Sequence, residues 1–163
     1  MIGQVYQINV KPETPGERGL PKFPIDSAFV TLKGIEGDYN RYRNGLIKNG
    51  DLDMAVLVMP LEMILQLNSE GWPIKPGDLG ENITAKGIPY DSFAPEKVYC
   101  IGNNVRIKIS RACNPCGNLK LLPYVGREKW PQFGKTMLHR RGWYARVLEA
   151  GKIKKEDKIE EVI

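Results

Sequence analysis

A chain of 163 residues, 42% hydrophobic and 26% charged, is long enough to bury one core and too evenly mixed to be fibrous or disordered. Its 24 Lys and Arg against 19 Asp and Glu give a formal charge of +5. The densest basic run, Lys152, Lys154, Lys155 and Lys158, is interleaved with Glu156 and Asp157 and reads as a solvated face, and no aromatic-interleaved basic patch argues for nucleic acid.

From the start, Met1 leads into the alternating residues Val5, Gln7, Ile8 and Val10 rather than into a leader, and no apolar run approaches bilayer length. A cytoplasmic protein forming a single domain over 1–163 is expected. In chain order, short alternating segments bounded by Gly, Pro and Asn predict strands over 4–10, 28–32, 54–59, 97–101, 105–110, 143–148 and 158–163. Seven strands in this length predict a mainly β fold, a barrel or a sandwich. Between the third and fourth strands, Pro60 opens a run in which Leu61, Ile64, Leu65 and Leu67 recur at helical spacing and Gly71 follows, which predicts a helix over 60–69 packed on the sheet. Over 119–141 the periodicity weakens around Pro123, Gly126, Pro131 and Gly134, so short helices or a long loop are expected there.

Two glycine-rich segments accompany these elements, Gly34-Ile35-Glu36-Gly37-Asp38 after the second strand and Pro76 to Thr84 after the helix. Each places flexible glycines beside a carboxylate or amide, which suits a plain turn and equally a backbone that approaches a ligand. After the strand ending at 110 comes Cys113-Asn114-Pro115-Cys116. Three cysteines cannot all pair within one chain, and with no leader in view reduced thiols are expected. Several readings of the pair stand side by side. Both thiols can be small buried turn residues. A thioredoxin-like redox pair has this spacing but opens a helix, whereas Gly117 and Asn118 follow here. Cys100, Cys113, Cys116 and His139 make up a Cys3His zinc set, although with a single close pair. A thiol presented just past a strand end also suits metal ligation or sulfur carriage.

Four segments then carry a resemblance: Gly34-Ile-Glu-Gly-Asp38, Gly77-Asp-Leu-Gly-Glu-Asn-Ile-Thr84, Pro115-Cys116 and Gly142-Trp-Tyr-Ala-Arg-Val-Leu-Glu-Ala-Gly151. In order and spacing they resemble the MOSC domain, the C-terminal domain type of molybdenum cofactor sulfurases, across nearly the whole chain. The resemblance implies a barrel-like β fold with one or two short packed helices and a pocket for the molybdenum cofactor, whose pterin dithiolene and phosphate are anionic. Cys116 matches the cysteine proposed as catalytic thiolate ligand to molybdenum in members that reduce N-hydroxylated compounds. In sulfurases the domain is thought to carry sulfur, and the pyridoxal phosphate of those enzymes belongs to a separate domain with no counterpart in these residues. An electron-donor protein, or a sulfur donor or acceptor protein, is the implied partner.

Within that resemblance Asp38, Glu81 and Asn82 are expected to line the pocket. Lys22, Arg111 and Arg146, beside the motif segments, are the candidates to grip the phosphate. Cys113 is placed as a resolving thiol by proximity alone. The sequence departs from the family in three places. Tyr39-Asn40 stands where many relatives have a histidine, and the run from Asn49 to Val56 lacks the family's histidine and arginine. Asn114 occupies the frequent arginine position two before the cysteine. Asparagine keeps a hydrogen bond but carries neither proton nor charge near neutral pH. A noncatalytic module that delivers cofactor or sulfur to a partner enzyme is the alternative, and a structural zinc-bound β domain is the third reading.

Overall fold

Alternation of apolar and polar side chains lets a strand bury one face while the other meets a second layer. The computed structural model, which describes residues 1–12, 14, 19–39 and 50–162, uses this twice. In chain order its elements are β1 (Ile2–Val10), β2 (Phe23–Ile25), β3 (Ser27–Thr31), β4 (Gly34–Ile35), β5 (Val56–Pro60), α1 (Leu61–Ser69), β6 (Ile83–Lys86), β7 (Val98–Ile101), β8 (Val105–Ala112), α2 (Gly126–Thr136), β9 (Trp143–Glu149), β10 (Gly151–Lys154) and β11 (Lys158–Val162). Short 3-10 turns occupy Leu52–Met54, Tyr90–Ser92 and Gly117–Leu121.

The fold is mainly β, with a closed barrel of seven strands in the order β11-β7-β8-β9-β5-β6-β1 and two helices. Closure comes from β1, which pairs with β6 on one side and through Ile2 opposite Glu160 with β11 on the other. β2 extends the sheet beyond β1, and β10, β3 and β4 form a separate three-stranded sheet. β5 and β6 run parallel and are joined across α1, a βαβ unit within a largely antiparallel barrel. No helix among the described residues is long and apolar enough to cross a membrane.

Seven strands are expected and seven close the barrel, but the sets differ. β3, expected over 28–32, lies in the small sheet, while β6 was hidden inside the glycine-rich motif that ends at Thr84. The helix begins at Leu61, not Pro60: at φ −65°, ψ 132° the proline is extended and is the last residue of β5. Proline's fixed φ suits either state, and ψ decides. The stretch 119–141 resolves into the 3-10 turn and α2, which carries Pro131 in its interior. Ile163, expected in the last strand, lies outside the described residues.

Two cores result. Inside the barrel Val58, Ile83, Ala85, Ile107, Ala145 and Ile159 pack together, each at most 1% exposed. Outside it, the opposite face of β5 contributes Met59 to a second cluster with Ile64 and Leu67 of α1 and Phe133 of α2. Since Ile83 and Ala85 point inward, alternation turns Asn82 and Thr84 outward beneath the chain segment that covers this wall. The candidate site is built on that outer wall.

Candidate functional site

The Pro76–Thr84 segment returns from α1 to β6 and lies against β1 and the Lys22 backbone. Gly77 has φ +96°, and a Cβ there would collide with the Lys22 carbonyl, which accepts no such approach from any other residue type. The Lys22 N–H donates to Gly77 O at 2.9 Å, which fixes the two strands of chain together. Glu81, without exposed surface, accepts at Oε1 from the Gly77 N–H (2.6 Å) and the Thr84 hydroxyl (3.1 Å), while its Oε2 is buried without a partner among the described residues. Burial pushes the Glu81 carboxyl up to about 7 from 4.5, against the opposing pull of the Gly77 N–H.

Asn82 binds in three directions. Its Oδ1 accepts from the Leu57 N–H at 3.1 Å, and its Nδ2 donates to Asn9 O and to Asp38 Oδ2 at 2.9 Å. Asp38, 6% exposed, also accepts from the Lys22 ammonium at 2.7 Å and from the Lys11 N–H at 2.9 Å. The structure therefore joins Lys22, Asp38 and Asn82 directly and engages the Lys22 ammonium, expected to grip a phosphate, with Asp38, while Glu81 bonds within its own segment to Gly77 and Thr84. They hold the two glycine-rich segments to the barrel wall.

Cys116 follows Pro115 in the turn beyond β8 and occupies the N-cap position of the Gly117–Leu121 turn. The residue is half-buried, and its sulfur lies 3.1 Å from Nη1 of Arg141, which donates to it and to Asn114 O at 2.9 Å. Nη2 of the same guanidinium donates to Leu79 O at 3.3 Å. Arg141 thus ties the cysteine turn to the Pro76–Thr84 segment. Burial works to lower its pKa, but the neighbouring Cys113 and Cys116 sulfurs and Tyr144 raise it above the ordinary value. Tyr90 supports this corner by accepting the Gly142 N–H at 3.1 Å, and its ring lies 5.7 Å from that of Trp143.

Arg141 was not among the expected site residues. Between His139 and Gly142 it reads as one more surface cation. The available signal was its place immediately before the Gly142-Trp-Tyr-Ala-Arg motif.

Cys113 is 1% exposed, and burial pushes its thiol up, so it is a poor nucleophile. A thioredoxin-like pair, which needs its first thiol presented at an α-helix start, does not fit this geometry. The zinc reading is corrected as well: among the described residues no three His, Cys, Asp or Glu side chains gather where they could hold a metal ion, and Cys100 lies on β7.

Arg111 and Arg146 lie on the outer face of β8 and β9, both more than a third exposed. Each is paired at 2.7 Å with a carboxylate of one short segment, Arg111 with Asp51 and Arg146 with Asp53. Arg111 also stands over the Tyr144 ring. Among the positions where the sequence departs from the family, Tyr39 donates its N–H to Lys11 O, and Asn40 and Asn49 lie outside the described residues. A separate cleft of about 380 Å³ is lined by Glu70, Trp72, Tyr124, Lys129 and Gln132 and contains none of the expected residues. Tyr124 links it to the motif by donating to Asp78 at 2.9 Å.

Comparison with known proteins gives a consistent result. The model of the MOSC domain matches residues 42–160. A protein described as a reductase from Gibberella moniliformis (strain M3125 / FGSC 7600) is 32% identical over 85 residues, which are 51% of this chain and only 14% of that much longer protein. Among solved structures, YiiM from Geobacillus stearothermophilus superposes with a TM-score of 0.72 at 25% identity, covering 99% of this chain and 75% of that one. The YuaD protein of Bacillus subtilis gives 0.80 at 18% identity, covering 99% and 96% respectively, and shares the fold.

Proposed function

The chain belongs to the MOSC domain family, and from that premise we propose that it binds the molybdenum cofactor through Cys116 and serves in molybdenum-dependent reduction of N-hydroxylated compounds. The observation that carries the reading is Cys116, a half-buried residue whose sulfur is touched by a buried guanidinium. The residues present fit such a group. A thiol is a soft donor suited to molybdenum, and the anionic character of the pterin dithiolene suits a site beside the Arg141 guanidinium, whose Nε is buried without a partner among the described residues.

When bound, the cofactor supplies the redox-active metal. The chain's own residues supply the rest. Cys116 gives the ligand sulfur, and the Lys22–Asp38–Asn82 network holds the glycine-rich segments rigid beside it. Arg111 and Arg146 offer the exposed edges of their guanidinium groups to a phosphate. The fungal protein described as a reductase supports reduction over sulfur carriage, and an electron-donor protein is the partner this reading requires.

The test is metal analysis of protein produced in a molybdopterin-competent host. Wild type is expected to carry molybdenum, and Cys116→Ser to lose it by about ten-fold or more. Molybdenum absent from both proteins sinks the cofactor reading. Fully loaded protein that reduces no N-hydroxylated base, given an electron donor, leaves the cofactor site standing and favours delivery to a partner enzyme.

A further inference from the structure

Arg141 is 6% exposed, and its three contacts go to two carbonyls and a sulfur. Among the described residues no carboxylate pairs with it, whereas its neighbour Arg140 has the ordinary arrangement, a half-exposed pair with Glu70. A buried cation without a counter-anion is costly, and a buried donor without an acceptor adds to that cost; among the described residues Arg141 carries both, because its Nε also has no partner there. Buried charges in proteins are ordinarily paired, which makes an anion the fitting complement here.

We propose that Arg141 makes the Cys116 corner an anion-binding site, in which the guanidinium holds the sulfur by Nη1 and its charge, met by no carboxylate among the described residues, draws a negatively charged group to that sulfur. By also gripping Leu79 O and Asn114 O it fixes the spacing between the two motif segments. It is a positioning residue whose charge acts at the sulfur it holds, and the inference rests on Cys116 as the reactive sulfur of the proposed function.

Cofactor-free full-length protein allows the test. Iodoacetate and iodoacetamide react by the same step, in which sulfur forms a bond to carbon as the carbon–iodine bond breaks and iodide leaves, but only the first reagent is an anion. The ratio of their rates at one thiol cancels both the exposure and the ionisation of that thiol. Measured by peptide mass spectrometry and normalised to the uncharged thiol 2-mercaptoethanol, the iodoacetate preference at Cys116 is expected to be at least about five-fold, the factor given by one weakly screened charge contact. Arg141→Gln is expected to abolish it, Arg141→Lys to keep part of it, and Arg140→Gln to leave it unchanged. Local unfolding in Arg141→Gln would raise the iodoacetamide rate at Cys116, whereas loss of the charge alone lowers the iodoacetate rate relative to it without that rise.

A wild-type ratio equal to that of 2-mercaptoethanol overturns the proposal without recourse to any variant, as does a ratio unaffected by Arg141→Gln. Since no molybdenum enters the assay, a persistent iodoacetate preference in protein that never loads the metal refutes the cofactor reading and supports this one.

Discussion

Glu81 holds its proton more tightly than a carboxyl in water, because burial raises its pKa from 4.5 to about 7 and one of its oxygens meets no donor among the described residues. A group whose folded pKa lies above its unfolded one stabilises the fold fully below the unfolded value. That contribution is lost as pH rises through the folded value. Stability is therefore expected to decline from pH 4.5 to beyond pH 7, by up to about 3 kcal/mol for a shift of this size. Urea midpoints of wild type and Glu81→Gln at pH 5, 6, 7 and 8 check it: the glutamine variant is expected to lose this slope, and parallel curves for the two proteins would refute the assignment. Glu81 was legible from its motif, as were Asp38, Asn82 and Cys116. The partners of these side chains were not, because contacts such as Asp38 to Asn82 and Cys116 to Arg141 join residues far apart in sequence. Arg141 escaped notice for a related reason: nothing in a string of letters distinguishes a buried guanidinium from an exposed one.

Among the elements, the turn Leu52–Met54 shows how local and distant bonds combine. Asp51 accepts the Asp53 N–H at 2.9 Å and so starts the turn, and Ser110 donates to Asp53 O from β8. The pairs Arg111–Asp51 and Arg146–Asp53 then hold the turn against the outer face of the barrel. Partly exposed pairs add little stability. Arg111→Ala and Arg146→Ala are thus expected to unfold at nearly wild-type urea concentrations. As phosphate partners they are expected to retain less molybdopterin through gel filtration, and the loss is expected to grow with salt. Retention equal to wild type in both variants would remove these residues from the site. The strands with clear alternation were legible, whereas β6 and β10, of four residues each, are too short to establish a period. α2 was obscured by Gly126, Pro131 and Gly134, and it forms because Phe133 is buried against Trp72 and Tyr124, packing that outweighs propensity.

At the level of the whole molecule, barrel closure depends on a seam between the first and last strands, and Gly3 lies in it opposite Ile159. A Cβ at Gly3 would stand 2.5 Å from Lys86 O and 2.6 Å from Ile88 Cγ1. Gly3→Val is expected to lower the melting midpoint by about 2–10 °C through overpacking, measurable by calorimetry, and an unchanged midpoint would show that the seam yields. Alternation along the chain predicted a barrel or sandwich and could not choose between them, since the pairing of Ile2 with Glu160 is a long-range register that no local pattern encodes. That pairing has a further consequence. Both strand ends emerge side by side, so a host polypeptide could pass into the barrel and out again at a single point on its own surface. A domain with that geometry is portable: it can be spliced into a loop of a much longer protein without prying the host apart.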